Sequence, residues 1–148
     1  MKQEKAKSEY RDEFLQLSVL LTGFSQAELE STGMVWTYFR TLIDRTEASI
    51  LKPFFENVVE ILKLDTVVDR NKAISTELIP DSAYNGTAKR IILMWYEGLW
   101  TTAGAAPQVI SSQAYAQGLM WPAAKTHPAG AKQPGHGSWQ HEPLNAKE

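Results

Sequence analysis

The sequence predicts an all-α protein, built as a bundle of about five helices with a long, irregular, aromatic C-terminal arm. Over the first hundred residues, apolar side chains recur at the spacing of three and four that is typical of helices. Alternation of apolar and polar residues, the strand pattern, never lasts beyond a few positions. After residue 101 the chain carries five of its seven prolines and five of its nine glycines. We therefore assign residues 1–101 to the bundle and 102–148 to the arm, with one domain overall.

The bulk composition excludes several classes of function. The chain has 148 residues, a net charge of -2 and no cysteine. One domain of this length can bury a substantial core, and the charge provides no positive field for nucleic acid. Without cysteine there is no disulfide, no thiol nucleophile and no cysteine-ligated metal.

The first residues, 1–14, are charged and contain neither the hydrophobic segment of a signal peptide nor a twin-arginine pair. We therefore expect a cytoplasmic protein, a mature form after processing, or a chain whose leader was replaced by Met1.

The first two helices have clear boundary signals. Helix one is predicted over about residues 8–22, and Gly23 is a good C-terminal stop. Ser25 and Glu28 then have the spacing of a capping box, which begins helix two. Helix two is predicted to continue to about Ile43. Gly33 inside it costs roughly 1 kcal/mol relative to alanine, so we expect a close helix crossing there.

Helices three and four follow from apolar spacing. Helix three is predicted over about residues 46–64, and its regular part is expected to begin near Lys52 because Pro53 is tolerated only near a helix start. Helix four is predicted over about residues 66–78. Its apolar positions are Val67, Val68, Ile74 and Leu78.

Helix five carries the most informative segment, residues 91–100. It is predicted to begin near Ser82 or at the turn around Asn85, and to end at about residues 100–102. Six consecutive apolar residues, 91–96, place large side chains all round the helix, whereas a helix facing one core has a polar back. The run is about half of the ~20 residues that span a bilayer. We therefore expect a second protein to cover the outward-facing side chains of this run. Trp95, on the inner side of the helix, is expected in the chain's own core.

The arm is too aromatic for disordered low-complexity sequence. A short helix is predicted over about residues 111–120, followed by an extended arm after Pro122. Bulky residues in an arm usually pack against another surface. The expected partner-binding residues of helix five and the arm are Tyr96, Gly98, Trp100, Tyr115, Leu119, Trp121 and Trp139. Trp121 and Trp139 could equally seal the chain's own bundle.

Three blocks of the sequence resemble one protein family. They are the opening segment 14–23 (FLQLSVLLTG), the helix-five segment 90–100 (RIILMWYEGLW), and the arm with VISS at 109–112, Tyr115, GLMW at 118–121, residues 134–139 and Pro143. In this order they resemble the small subunits of membrane-associated, FAD-dependent sorbitol, fructose and glucose dehydrogenases. The resemblance covers residues 14 to about 143.

The resemblance implies a non-catalytic, chaperone-like accessory subunit. In that family a large GMC-type flavoprotein binds FAD and oxidises the sugar or polyol, and a multihaem cytochrome often passes electrons onward. The small subunit binds the large one and supports its maturation. The resemblance further implies a periplasmic or membrane-associated complex. It implies no cofactor in this chain, and FAD, with haem or an iron–sulfur cluster, in partner subunits. The missing leader departs from the family and leaves the export-escort role unsupported.

Alternative interpretations of these residues are a stand-alone helical binding or scaffold protein with a self-packed arm, a sugar-binding module, and an enzyme. A sugar site needs convergent polar groups, and near the C-terminal tryptophans there are mainly Gln140, Glu142 and Asn145.

Candidate groups for catalysis or metal binding are sparse. His127, His136 and His141 lie in a Gly/Pro-rich segment without a convincing acidic cluster, so we expect no metal site. Glu97 is the one carboxylate inside the aromatic run. No Gly-rich dinucleotide motif follows a strand. The sequence thus predicts no catalytic site, no FAD site, no bound nucleic acid and no membrane span.

Overall fold

The computed structural model describes residues 9–80 and 82–125. Within these ranges the chain is all-α, as the sequence predicts, with one pair of two-residue strands. The elements, in chain order, are α1 (Arg11–Thr22), α2 (Gln26–Ser31), α3 (Val35–Arg45), α4 (Ala48–Leu62), α5 (Val67–Glu77), a 3-10 turn (Ala83–Gly86), α6 (Thr87–Glu97), β1 (Leu99–Trp100), β2 (Gln108–Val109), α7 (Ser112–Ala116) and α8 (Met120–Ala123). The chain divides into two compact units at Ile92 and Leu93, inside α6.

Local signals at the start of the first unit act as predicted. Gly23 ends α1 in the left-handed conformation, with φ 76°, and its N–H donates to Val19 O. The Ser25 hydroxyl accepts from the Glu28 N–H, and the Glu28 carboxylate accepts from the Ser25 N–H, both at 3.1 Å. This reciprocal capping box is predictable because all its atoms lie within four residues.

The prediction of one continuous second helix is wrong. Gly33 is not a helix-crossing position: it adopts φ +72° in a turn between α2 and α3. The turn is closed by the Thr32 hydroxyl, which donates to Leu29 O and accepts from the Met34 N–H. Glycine takes this backbone conformation at little steric cost.

The start of the third predicted helix is also corrected. α4 begins at Ala48, and Pro53 lies inside it. Proline removes the N–H that would bond to Ser49 O, yet both residues are exposed to water. Phe54 and Phe55, which follow Pro53, are fully buried. Burial of two aromatic side chains outweighs the missing hydrogen bond.

Stacked and edge-on rings form the core of the first unit. The ring centroid of Phe14 in α1 lies 5.4 Å from that of Phe39 in α3, and the Phe39 centroid lies 6.3 Å from that of Phe55 in α4. Tyr10 stacks on Phe55 with its ring nearly parallel, at 4.8 Å. Burial makes ionisation unfavourable and raises the pKa of the Tyr10 phenol, with the nearby carboxylate of Glu9 adding to it.

The predicted apolar positions of α5 separate into two groups. Ile74 and Leu78 are buried, as expected, but Val67 and Val68 are 56% and 76% exposed. Thr66 caps this helix by accepting from the Asp69 N–H, and the cap places both valines in the first turn.

The turn before α6 holds two residues in an unusual backbone conformation. Tyr84 and Asn85 have φ of 48° and 55°, in the left-handed region. Tyr84 is fixed by α4, because its ring packs edge-on against Phe54 and its hydroxyl accepts from Asn57 Nδ2 at 3.0 Å. The Thr87 hydroxyl donates to Tyr84 O at 2.6 Å. These contacts over-determine the turn and offset its strain.

Candidate partner-binding site

The second unit brings the end of α6 together with the beginning of the predicted arm. α6 ends at Glu97, earlier than the predicted 100–102, because Gly98 turns the chain at φ +67°. Leu99 and Trp100 then form β1, which pairs antiparallel with β2 through Leu99–Val109 and Trp100–Gln108. The Ile110 N–H donates to Gly98 O at 2.9 Å and extends this pairing.

Gly98 is a point of very close backbone approach. A β carbon at this position would lie 2.6 Å from the carbonyl carbon and oxygen of Ala114 and 2.9 Å from the backbone nitrogen of Tyr115. Any side chain here would overlap the backbone of α7. Ser111 is the N-cap of α7, and its hydroxyl accepts from the Ala114 N–H at 3.0 Å.

A second close approach joins the segment before α8 to α6. A β carbon on Gly118 would lie 2.6 Å from Tyr96 O. Beside it, the Leu119 N–H donates to Trp95 O at 2.8 Å. Because Trp95 and Leu119 are almost entirely buried, this hydrogen bond is shielded from water and fixes the segment against the last turn of α6.

An aromatic pair lies at the outer part of the second unit. The Tyr115 and Trp121 rings meet edge to face, with centroids 5.5 Å apart. Trp121 Nε1 donates to Tyr115 O at 2.9 Å. This bond satisfies the polar atom of the indole internally, so the ring presents an apolar surface to its surroundings. Trp121 and Pro122 lie in α8, which ends at Ala123. Most of the extended arm predicted to follow Pro122 lies outside the described residues.

The seven predicted partner-binding residues fall into three groups. Tyr115 is 37% exposed, and Tyr96 and Trp121 are half-buried. Gly98, Trp100 and Leu119 are buried within the chain itself. Trp139 lies outside the described residues.

Several other predicted positions have a clear outcome. Trp95 is fully buried, which confirms it as a core residue. The predicted helix at 111–120 is shorter, since α7 ends at Ala116. His127, His136, His141 and the polar residues Gln140, Glu142 and Asn145 lie outside the described residues. Within 9–80 and 82–125, no three acidic or histidine side chains are placed to hold a metal.

Exposed apolar residues include two that sequence reasoning missed. Val109 is 56% exposed on β2, and Trp36 is 46% exposed on α3. A sequence signal for Val109 exists, because residues 98–124 contain no charged side chain. No such signal marks Trp36.

None of the helices in the described part of the chain is long and apolar enough to cross a membrane. The chain matches no family model, no curated protein and no solved structure.

Proposed function

We propose that this chain is the non-catalytic small subunit of an FAD-dependent sugar, polyol or sugar-acid dehydrogenase complex. It binds the FAD-containing catalytic subunit, stabilises it and supports its maturation. The observation that carries the proposal is that close backbone contacts hold the second unit together. Residues of two blocks that resemble the small-subunit family, 90–100 and 109–121, make the backbone approaches at Gly98 and Gly118 and the Tyr115–Trp121 pair.

The proposed mechanism is stabilisation by binding. A subunit that binds the folded flavoprotein, and not its unfolded chain, shifts the folding equilibrium toward the folded state. With free subunit at one hundred times its dissociation constant, the gain is about 2.7 kcal/mol. No catalytic group in this chain is needed for that effect.

The contact residues we propose are those that the structure leaves accessible. Tyr115, Trp121 and Tyr96 offer aromatic area, and tyrosine and tryptophan are the residue types enriched at interface hot spots. The buried Trp100 and Leu119 are assigned a supporting role beneath this surface. Their substitution would act through the fold of the second unit.

Location and cofactors are part of the same proposal. The complex would be periplasmic or membrane-associated, with FAD in a large GMC-type subunit and a multihaem cytochrome as a further partner. This chain would bind no cofactor itself.

A second candidate function is a stand-alone helical binding or scaffold protein. The burial of Trp100 and Leu119 within the chain, at 5% and 3% exposure, favours it, because part of the predicted interface is already covered by the chain itself.

The test is recovery of the tagged chain from the cells in which it occurs, followed by mass spectrometry and an absorbance scan. We expect a large flavoprotein to co-elute, with flavin bands and dye reduction by a sugar or polyol. An eluate with this chain alone, from cells that express such a dehydrogenase, would contradict the proposal and favour the scaffold function.

A matched pair of variants assigns the contact. Trp121→Ala combined with Trp139→Ala should abolish co-purification while circular dichroism shows unchanged helix content. Trp36→Ala removes an exposed tryptophan of the first unit and should retain the flavoprotein. If the double variant still co-purifies with it, these tryptophans do not form the contact.

A further inference from the structure

The second unit contains an unusually long stretch without charge. Between Glu97 and Lys125 there is no Asp, Glu, Lys, Arg or His in 27 residues. At the chain's average of 22% charged residues, a stretch of this length would carry about six.

This stretch lies largely at the surface. About half of its residues are exposed, among them Val109, Gln113 and Tyr115. An exposed segment ordinarily contains charged side chains, because Asp, Glu, Lys and Arg are found mostly at protein surfaces. The first unit follows that rule: every charged residue of α5 except the half-buried Arg70 is exposed.

The exposed uncharged residues are linked through one packed unit. Val109 pairs with Leu99, which follows Gly98. Gly98 lies against the backbone of Tyr115, and Tyr115 contacts Trp121. We call the exposed part of residues 98–124 the neutral face.

We propose that the neutral face docks on an uncharged, apolar surface of a folded protein partner, which under the proposed function is the flavoprotein subunit. This inference rests on the proposed function for the identity of the partner. Depletion of charge is the compositional mark of an interface core, and the neutral face includes the exposed ring of Tyr115. A charged partner surface would find no compensating charge here, and its desolvation would be unfavourable.

A lipid bilayer fits the neutral face less well. Helices that lie in a membrane interface have Lys and Arg on their polar face and a large apolar face. The helices here, α7 and α8, have five and four residues and no cation. The exposed side chains of this stretch include small ones, such as Ala105, Ala106 and Ala123, which allow the close packing typical of protein surfaces in contact.

Two opposite charges at one position test the chemistry of the partner. Gln113 is exposed in α7, so Gln113→Lys and Gln113→Glu should both fold normally by circular dichroism. We expect each to lower the amount of flavoprotein recovered per mole of tagged full-length chain by at least about tenfold, since an unpaired charge is buried in either case. Thr76→Lys, at an exposed position of α5, is the control and should recover the wild-type amount.

Salt provides an independent reading. Recovery with the wild-type chain should change less than about twofold between about 0.05 and about 0.5 M NaCl, because no charge pair is available for screening. A gain with one charge at position 113 and a loss with the other would overturn the proposal, since it would indicate a charged partner surface. Normal recovery with both variants would also overturn it.

The outcomes separate this inference from the proposed function. If wild-type chain recovers the flavoprotein and both Gln113 variants do too, the function stands and the neutral face is not the contact. If wild-type chain recovers no flavoprotein, the proposed function fails and the partner proposed here fails with it. Sedimentation of wild-type chain with phosphatidylcholine vesicles, lost in both variants, would assign the face to a bilayer and overturn the inference. Loss of a self-associated dimer in both variants would assign it to a second copy and overturn it as well.

Discussion

Replacement of Gly118 by alanine is the sharpest test of how the second unit is held together. Gly118 lacks a side chain where the backbone of Tyr96 passes closest to it. Its backbone is not in the left-handed region, so alanine introduces no φ strain. The substitution therefore isolates the effect of the close approach.

The expected cost follows from the distances. The added β carbon would lie 2.6 Å from Tyr96 O, whereas ordinary contact begins at 3.4 Å, so the chain must retreat by about 0.8 Å. The neighbouring Leu119 N–H bond to Trp95 O, now 2.8 Å, would stretch beyond hydrogen-bond distance. Overpacking costs about 1–3 kcal/mol, and loss of a hydrogen bond about 0.5–1.5 kcal/mol. We expect a total loss of about 1.5–4.5 kcal/mol, the sum of the two.

The assay is guanidinium denaturation followed by tryptophan fluorescence, with amide hydrogen exchange at Leu119 as the local probe. Gly104→Ala is the control, because nothing lies within 4 Å of that position although φ is +78°. Its cost should be limited to the left-handed strain of about 1 kcal/mol.

The result that would refute the reasoning is a Gly118→Ala loss no larger than that of Gly104→Ala, with unchanged protection of the Leu119 amide. The contact of the Gly118 segment with α6 would then be loose enough to absorb a methyl group. The coherence of the second unit would need another cause.

Three further predictions concern the first unit. Asn85→Ala should lower the free energy of unfolding by about 1 kcal/mol while Asn85→Gly should not, because φ is 55° there; thermal denaturation of the pair measures this. Ser25→Ala should cost about 1 kcal/mol through loss of the α2 cap, whereas Ser75→Ala, at an exposed position of α5, should be nearly neutral in the same assay. Burial raises the pKa of the Tyr38 phenol far above its ordinary value of 10.0. The neutral phenol therefore contributes its full share to the free energy of unfolding below pH 10.0. That contribution is lost as the pH rises toward the raised pKa, by up to about 1.4 kcal/mol per pH unit. Tyr38→Phe should remove this part of the loss, measured by denaturation at a series of alkaline pH values.

Each of these has an outcome that contradicts it. Equal stability of Asn85→Ala and Asn85→Gly would mean that the turn relaxes out of the left-handed region. No difference between Ser25→Ala and Ser75→Ala would mean that water replaces the cap. Parallel pH profiles for wild-type chain and Tyr38→Phe would mean that Tyr38 ionises at its ordinary pKa.

Features fixed by neighbouring residues could be predicted from the sequence. The Gly23 stop, the Ser25 capping box and the all-α class depend on interactions within a few residues or on the apolar period. The burial of Trp95 followed from its place inside the apolar run. The sequence also separated residues 102–148 from the helical part by composition, although the compact units divide earlier, at Ile92 and Leu93.

Features that depend on distant contacts could not be predicted in this way. Glycine can either interrupt a helix or permit a close helix crossing. At Gly33 the helix is interrupted, and the hydrogen bonds of the Thr32 hydroxyl that stabilise the turn are visible only in the structure. Proline usually marks a helix start, but burial of Phe54 and Phe55 carried α4 through Pro53. In the candidate site, tryptophan is common both in cores and at interfaces, so residue type alone could not separate Trp100 from Trp121.

The sequence by itself thus determined the helical class, the local caps and the uncharged character of residues 98–124, because each is a property of residue type and near-neighbour spacing. Only the tertiary structure decided which aromatic side chains remain accessible. Burial depends on segments distant along the chain, here the backbone of Ala114 against Gly98 and the carbonyl of Tyr96 against Gly118. Those approaches cover some of the predicted contact residues and leave Tyr115 exposed.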